Sequence, residues 1–239
     1  MPQVQKSAFI INFHGIGDAS RPYEPGEQPF WISRQEFTDI LDLVQSKSEA
    51  VDFQLTFDDG NSSDCGIAAP ELRQRGLHAI FFVLAGKLDV PGYLTRHELR
   101  DLVAQGFGVG SHGLNHVDWS GIEADELARE LSESRSILEG VIGQPVTAAA
   151  IPFGRYDRRV LSALGRSGYR HVYSSDGGAR LSTTWPIPRY SVSEGIQPEQ
   201  LAAMAQAGSI TSRLRNEARL RLKASLLGST MRRLKRLAD

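Results

Sequence analysis

Cysteine is nearly absent. Cys65 stands alone among 239 residues, which excludes an internal disulfide and leaves a small, buried apolar role as its simplest reading. Long apolar runs are missing as well. The first, Ala8 to Phe13, stops at His14, far short of the roughly 20 residues that cross a bilayer and too short for the core of a signal peptide. A cytoplasmic protein is therefore expected. The sequence has no internal repeat, no low-complexity tract, no glycine-rich phosphate loop, no nucleic-acid module and no serine elbow. Solenoids, nucleic-acid binding and serine hydrolysis drop out of consideration with them. What remains is a chain 41% hydrophobic and 23% charged, the composition of a soluble globular protein, at a length that one large α/β domain commonly uses.

Strand and helix patterns alternate along it. Phe9 to Phe13 reads as a buried strand. Ser33 and Glu36 form a capping box that opens a helix with Phe37, Ile40, Leu41 and Val44 on its apolar face. Val51, Phe53, Leu55 and Phe57 alternate as a strand does. A helix over 68–75 and a strand over 79–84 follow. A second capping box, Thr95 with Glu98, opens a helix ending at Gly106, before a strand that leads to His112. A helix over 123–139, a strand over 146–151, a helix over 158–167 and strands over 171–174 and 187–192 complete the pattern. Repeated strand–helix pairs predict an α/β barrel whose chemistry lies at the carboxyl ends of its strands.

Two stretches carry that chemistry. Asp58 and Asp59 close the strand that ends in Thr56-Phe57-Asp58-Asp59-Gly60. Adjacent carboxylates there call for a cation or a proton, unless the pair is merely a solvated turn. His112 and His116 are four apart, the spacing that puts two imidazoles on one side of a helical turn. Alone the pair is weak, because surface histidines reach that spacing by chance. Together, two histidines and one carboxylate would leave a fourth position of a metal open for water, as a catalytic site requires.

These stretches resemble the polysaccharide deacetylases, also called carbohydrate esterase family four or the NodB homology domain. Thr56 to Gly60 matches the first family motif, His112 to His116 the second, and Ala149 to Tyr156 is similar to the third; the likeness runs over about residues 8 to 195. It implies a deformed seven-stranded (β/α) barrel and a metal-dependent hydrolase of N-acetylated sugars. By the resemblance, Asp59, His112 and His116 bind a divalent metal, zinc first, with cobalt or nickel as alternatives. Asp58 acts as general base and the Phe153 backbone amide holds the oxyanion. No family-type histidine motif follows residue 171, but His14 matches its place in circularly permuted members that act on poly-N-acetylglucosamine, which makes His14 the general acid. Two departures stand out. The arginine two residues before Pro152 that normally orients the aspartate is Ala150, with Arg189 as candidate replacement or simply a surface arginine. The small hydroxyl residue after the first metal histidine is Gly113.

Phe30 and Trp31 could stack on a sugar, although packing on the barrel serves them at least as well, and Trp119 could line a sugar groove or cover the core; Tyr156 and Arg189 are further candidate substrate contacts. His78, His97 and His171 are read as exposed. Residues 213–239 hold nine Lys or Arg against Glu217 and Asp239, a net of +7, while the remainder is at −8. The division expected is thus a barrel over 1–208 and a basic helix over 209–239, with Leu220, Ala224, Leu227, Met231 and Leu234 at helical spacing. That helix suits either peripheral contact with an anionic membrane or a plain solvated end. Two further readings stay open: deacylation of a lipid-linked aminosugar or small amide, and a non-catalytic carbohydrate-binding barrel. Oligomeric state has no signal in the sequence.

Overall fold

The computed structural model describes residues 8–178, 184–206 and 210–225. Strand β1 (Ala8–Phe13) leads to the short pair β2 (Gly15–Ile16) and β3 (Trp31–Ile32), then helix α1 (Arg34–Lys47) and β4 (Asp52–Phe57). Helix α2 (Ala69–Gln74), β5 (Ala79–Val83), α3 (Arg96–Ala104), β6 (Gly108–Ser111), α4 (Ala124–Ile142), β7 (Ala148–Ala150), α5 (Arg158–Arg166) and β8 (His171–Ser174) follow. The last strands are β9 (Ile187–Pro188) and β10 (Tyr190–Ser191), then helices α6 (Pro198–Gln206) and α7 (Ile210–Ala224). No helix among the described residues is long and apolar enough to cross a membrane.

The main sheet runs β10-β1-β4-β5-β6-β7-β8-β9, and all its pairings are parallel. Strands β9 and β10 are two halves of one stretch broken at Arg189. One half pairs with β8 and the other with β1, so this single segment shuts the barrel. Seven chain segments thus make the deformed barrel of the NodB type, and the predicted strand over 187–192 is that split segment.

Both capping boxes form, Ser33 with Glu36 and Thr95 with Glu98. Alternation along the strands sorts two cores. Phe13, Phe57 and Phe81 are paired across β1, β4 and β5 and stack at 5.1 and 4.7 Å between ring centroids, facing the helices. The opposite face of the sheet, the barrel interior, is plugged by Ile10, Phe82, Ala150 and Tyr173. This aromatic ladder has a consequence for chemistry. Because Phe13 and Phe57 are in register, the residues after them, His14 and Asp58, leave the barrel mouth at the same level.

The predicted helix over 68–75 is preceded by a π-helical turn, Asp64–Ala68, that buries Asp64 completely. Neither Asp64 carboxylate oxygen finds a hydrogen-bond partner among the described residues. Burial, with repulsion from Asp59 and Asp58, raises its pKa well above the ordinary carboxylate range. A carboxyl raised in the folded state favours folding only while it is protonated. Its destabilising effect therefore begins above the unfolded value of about 3.9 and grows until the folded value is passed. Asp64→Asn is accordingly expected to raise the melting temperature of the chelated protein by several degrees at pH 8 and to change it little at pH 4. A gain equal at both pH values, measured by thermal unfolding, would refute this account.

Candidate active site

Asp58 is 1% exposed and is gripped from two strands. Arg189 donates to both its oxygens at 2.7 Å, and the Asn12 amide donates to Oδ2 at 3.0 Å. Arg189 also reaches Asn12 Oδ1 at 2.8 Å, and the Thr56 hydroxyl donates to that same oxygen at 2.8 Å. Below, the guanidinium lies 5.1 Å from the centroid of the Phe82 ring, on the plug of the barrel. Burial would push the Asp58 carboxyl up, but the charges of Arg189, His112 and His14 outweigh it and hold the group well below the usual range. Arg189 is itself 1% exposed, so it is no surface arginine. It also touches Asp58 directly, although it lines the cavity where a substrate contact was expected.

Asp59 takes the other direction. Its backbone is left-handed, φ 76°, a conformation Asp tolerates better than most residues. This turns its side chain toward the histidines. Asp59 Oδ1 is buried with no hydrogen-bond partner among the described residues, and lies 3.5 Å from His112 Nε2 and 3.6 Å from His116 Nε2. The other ring nitrogen of each histidine is already engaged. His112 Nδ1 meets the Ala150 carbonyl at 3.0 Å, and His116 Nδ1 meets Glu24 Oε2 at 2.6 Å. Two nitrogens turned inward and an orphaned carboxylate oxygen, their donor atoms within 4.8 Å of one another, fit a divalent cation with O and N ligands. Glu24 is held near a pKa of about 2 chiefly by its hydrogen bond to His116, and burial shifts His112 downward despite its acidic neighbours.

The expectation that His112 and His116 share a helical turn is not met. Residues 112–117 form no helix. The loop is shaped instead by Gly113 (φ 92°), by His116 in a left-handed conformation (φ 54°) and by Glu130. The Glu130 carboxylate accepts from the Leu114 amide at 2.8 Å and from the Asn115 side chain at 2.9 Å. This loop also explains why residue 113 is glycine. A Cβ there would lie 2.9 Å from Glu130 and 3.1 Å from the Trp119 ring, on a backbone whose φ of 92° already disfavours a side chain, so a serine or threonine would be strained and would have to displace these neighbours.

The aromatic candidates divide between the core and the cavity. Trp119 is completely buried as the wall behind Gly113 and lines no part of the cavity. Trp31 is 6% exposed; it lies so close to Gly15 that a Cβ there would overlap the indole. Tyr156 is also buried, and its hydroxyl donates to Asp176 at 2.8 Å. The aromatic residues that do line the cavity of about 610 Å³ include Phe30 and Phe153. His14 lines it too, its ring 5.0 Å from that of Phe30. Phe153 is 48% exposed and stacks on His116 at 4.4 Å. Its left-handed backbone, φ 56°, is strained for a residue with a bulky side chain. His78, His97 and His171 are exposed and remote from the cavity.

The sequence pattern of the family described as polysaccharide deacetylase matches residues 46–172, a little over half of the chain. The chain belongs to the polysaccharide deacetylase family. Among curated family relatives, the polysaccharide deacetylase-type protein YxkH of Bacillus subtilis (strain 168) is 24% identical over 155 residues, 64% of this chain and 56% of that one. The chitooligosaccharide deacetylase of Rhizobium leguminosarum bv. trifolii is 26% identical over 146 residues, 60% of this chain and 66% of that one. The chain thus spans just over half to about two thirds of the length of these curated relatives. Among solved structures, the Streptococcus pyogenes deacetylase PplD in complex with acetate shares the fold. It has a TM-score of 0.72 at 20% identity, covering 83% of this chain and 98% of that one. Glu24 lies outside the matched residues and carries no signal in the sequence, because its loop is rich in glycine and proline and it meets His116 across 92 positions.

Proposed function

We propose that the protein is a metal-dependent hydrolase that removes acetyl groups from N-acetylated sugars of a polysaccharide or glycoconjugate. One observation carries this reading. A buried, unpartnered Asp59 oxygen faces two imidazole nitrogens, beside a second carboxylate, Asp58, that is kept ionised by its own arginine. A binding module needs no such ionised base. Asp59, His112 and His116 would hold a divalent metal, zinc by the choice of ligands, which would supply Lewis acidity toward the attacking water and the acetyl carbonyl. Asp58 takes the proton of the attacking water. The Phe153 amide donates to the oxygen on which negative charge develops, and His14 delivers a proton to the departing nitrogen. Phe30 and Phe153, rather than Trp31, Trp119 and Tyr156, offer ring faces to the sugar. The relative named for chitooligosaccharides supports oligomers of N-acetylglucosamine as first substrates.

The deciding assay measures acetate released from N-acetylglucosamine oligomers with metal restored and with metal chelated. Release that needs metal, and that His112→Ala loses together with the metal, is the expected result. A chain that binds metal but releases no acetate from any oligomer sinks this substrate class.

The terminal helix favours a membrane-presented substrate. Leu214 and Leu222 on α7 are 54% and 63% exposed and share one face with the exposed Arg215 and Arg221. Leu227, Met231 and Leu234 lie outside the described residues. We expect the full chain to sediment with vesicles containing phosphatidylglycerol, and the double change Leu214→Glu/Leu222→Glu to abolish this. Equal sedimentation of both proteins would remove the membrane reading.

A further inference from the structure

The opposite face of α7 is turned to the active site. On the reading that this site removes acetyl groups, we propose that Lys223 is a positioning residue for the Phe153 amide. It acts through the Gly154 carbonyl and the Asp176 carboxylate.

Lys223 Nζ donates to the Gly154 carbonyl at 2.6 Å and to Asp176 Oδ1 at 2.5 Å, and lies 4.4 Å from the centroid of the Tyr156 ring. The other oxygen of Asp176 accepts from the Tyr156 hydroxyl at 2.8 Å and the Ser174 hydroxyl at 2.7 Å. One carboxylate therefore ties together the end of β8, the turn over 152–156 and the terminal helix. Arg219 adds a hydrogen bond of 2.6 Å to the Asp176 carbonyl. Both Asp176 and Phe153 line the cavity.

The turn needs such external support. Phe153 and Gly154 are consecutive left-handed residues, φ 56° and 59°, and only the second is glycine. A left-handed phenylalanine is held by its surroundings, not by its own preference. The Gly154 backbone already packs so closely on Ser175 that a Cβ would lie 3.2 Å away, which fixes the turn from one side. Lys223 fixes it from the other. An ammonium carries three donors on a long apolar stem, and here it meets a carboxylate, a carbonyl and a ring face together. An amide that stabilises a developing oxyanion works only if it is in place before charge appears. Loosening it costs turnover more than substrate binding, because that interaction belongs to the transition state.

The test uses the full chain with Lys223→Met and Lys223→Arg, read by steady-state kinetics on an N-acetylglucosamine oligomer and by hydrogen exchange. Lys223→Met should lower kcat about tenfold, short of the roughly 10²–10³-fold cost of removing an oxyanion donor outright, with KM changed less than about twofold. Amides 153–157 should exchange faster while those of β5 do not. Lys223→Arg keeps the charge and the donors and should recover most of the loss. The proposal is overturned if Lys223→Met leaves kcat unchanged, loses only in KM, or leaves exchange at 153–157 unaltered. It is also overturned if both variants lose equally and exchange rises in β5, the mark of general destabilisation. A wild-type chain that releases no acetate would instead strike the deacetylase reading itself, and the positioning role of Lys223 with it.

Discussion

On the proposed roles, Asp58→Asn should reduce acetate release on the order of 10³-fold, the worth of a positioned general base, while the chain still binds a divalent metal. The asymmetry follows from the two directions the adjacent aspartates take. Asp59 is aimed at His112 and His116, whereas Asp58 is turned to Arg189 and Asn12. Metal content by elemental analysis and kcat by acetate release check the two halves separately. An Asp58→Asn protein with full turnover would refute the base assignment. One that loses its metal would show that Asp58 is a ligand.

The second large effect is on Arg189. Both it and Asp58 are buried, so Arg189→Met leaves a carboxylate in the barrel mouth without its counter-ion. Breaking a buried pair in this way costs about 3–5 kcal/mol, which for a domain of this size lowers the melting temperature on the order of 10 °C. The pair depresses the Asp58 pKa in the folded state. Its stabilising effect is therefore fully present above the unfolded value of about 3.9 and lost as the pH falls from there through the folded value. Without the cation, burial raises the carboxyl instead, so the acid limb of kcat should move to higher pH. Arg189→Lys keeps the charge but not the two-pronged geometry, and should move that limb less. The double variant Asp58→Asn/Arg189→Met removes both charges and should regain much of the lost stability with no activity. If Arg189→Met is destabilising yet keeps the wild-type pH profile, Arg189 supports the fold and does not tune the base.

Much of this centre was legible because it lies where strands end. Asp58, Asp59 and His112 directly follow β4 and β6, and local alternation is enough to place them there. The partners that make the centre work were harder to see, because each contact crosses a long stretch of chain. Arg189 meets Asp58 across 131 positions, and no local pattern distinguishes it from a surface arginine. For Ala150, the side chain counted as missing, but its carbonyl is what steers His112. The reading of His112 and His116 as helix neighbours found the right pair for the wrong reason: a glycine and a left-handed histidine bring them together without a helix. Burial of Trp31, Trp119 and Tyr156 could not be read at all, since a two-residue strand, for Trp31, and a turn and a loop, for the other two, are too short to carry a periodicity that says which way a ring faces.

The split closing strand links durability to activity. β1 and β4 are joined over six residue pairs, but β10 holds β1 through only two, Ile11 with Tyr190 and Asn12 with Ser191. Asn12 lies in that seam, Arg189 directly precedes it, and these are the two residues that grip Asp58. A short join in the barrel is therefore also the mount of Asp58, the proposed base. The residues that close the barrel at that point and the two that hold this carboxylate are thus drawn from one short seam, so closure of the fold and placement of the carboxylate are a single structural event.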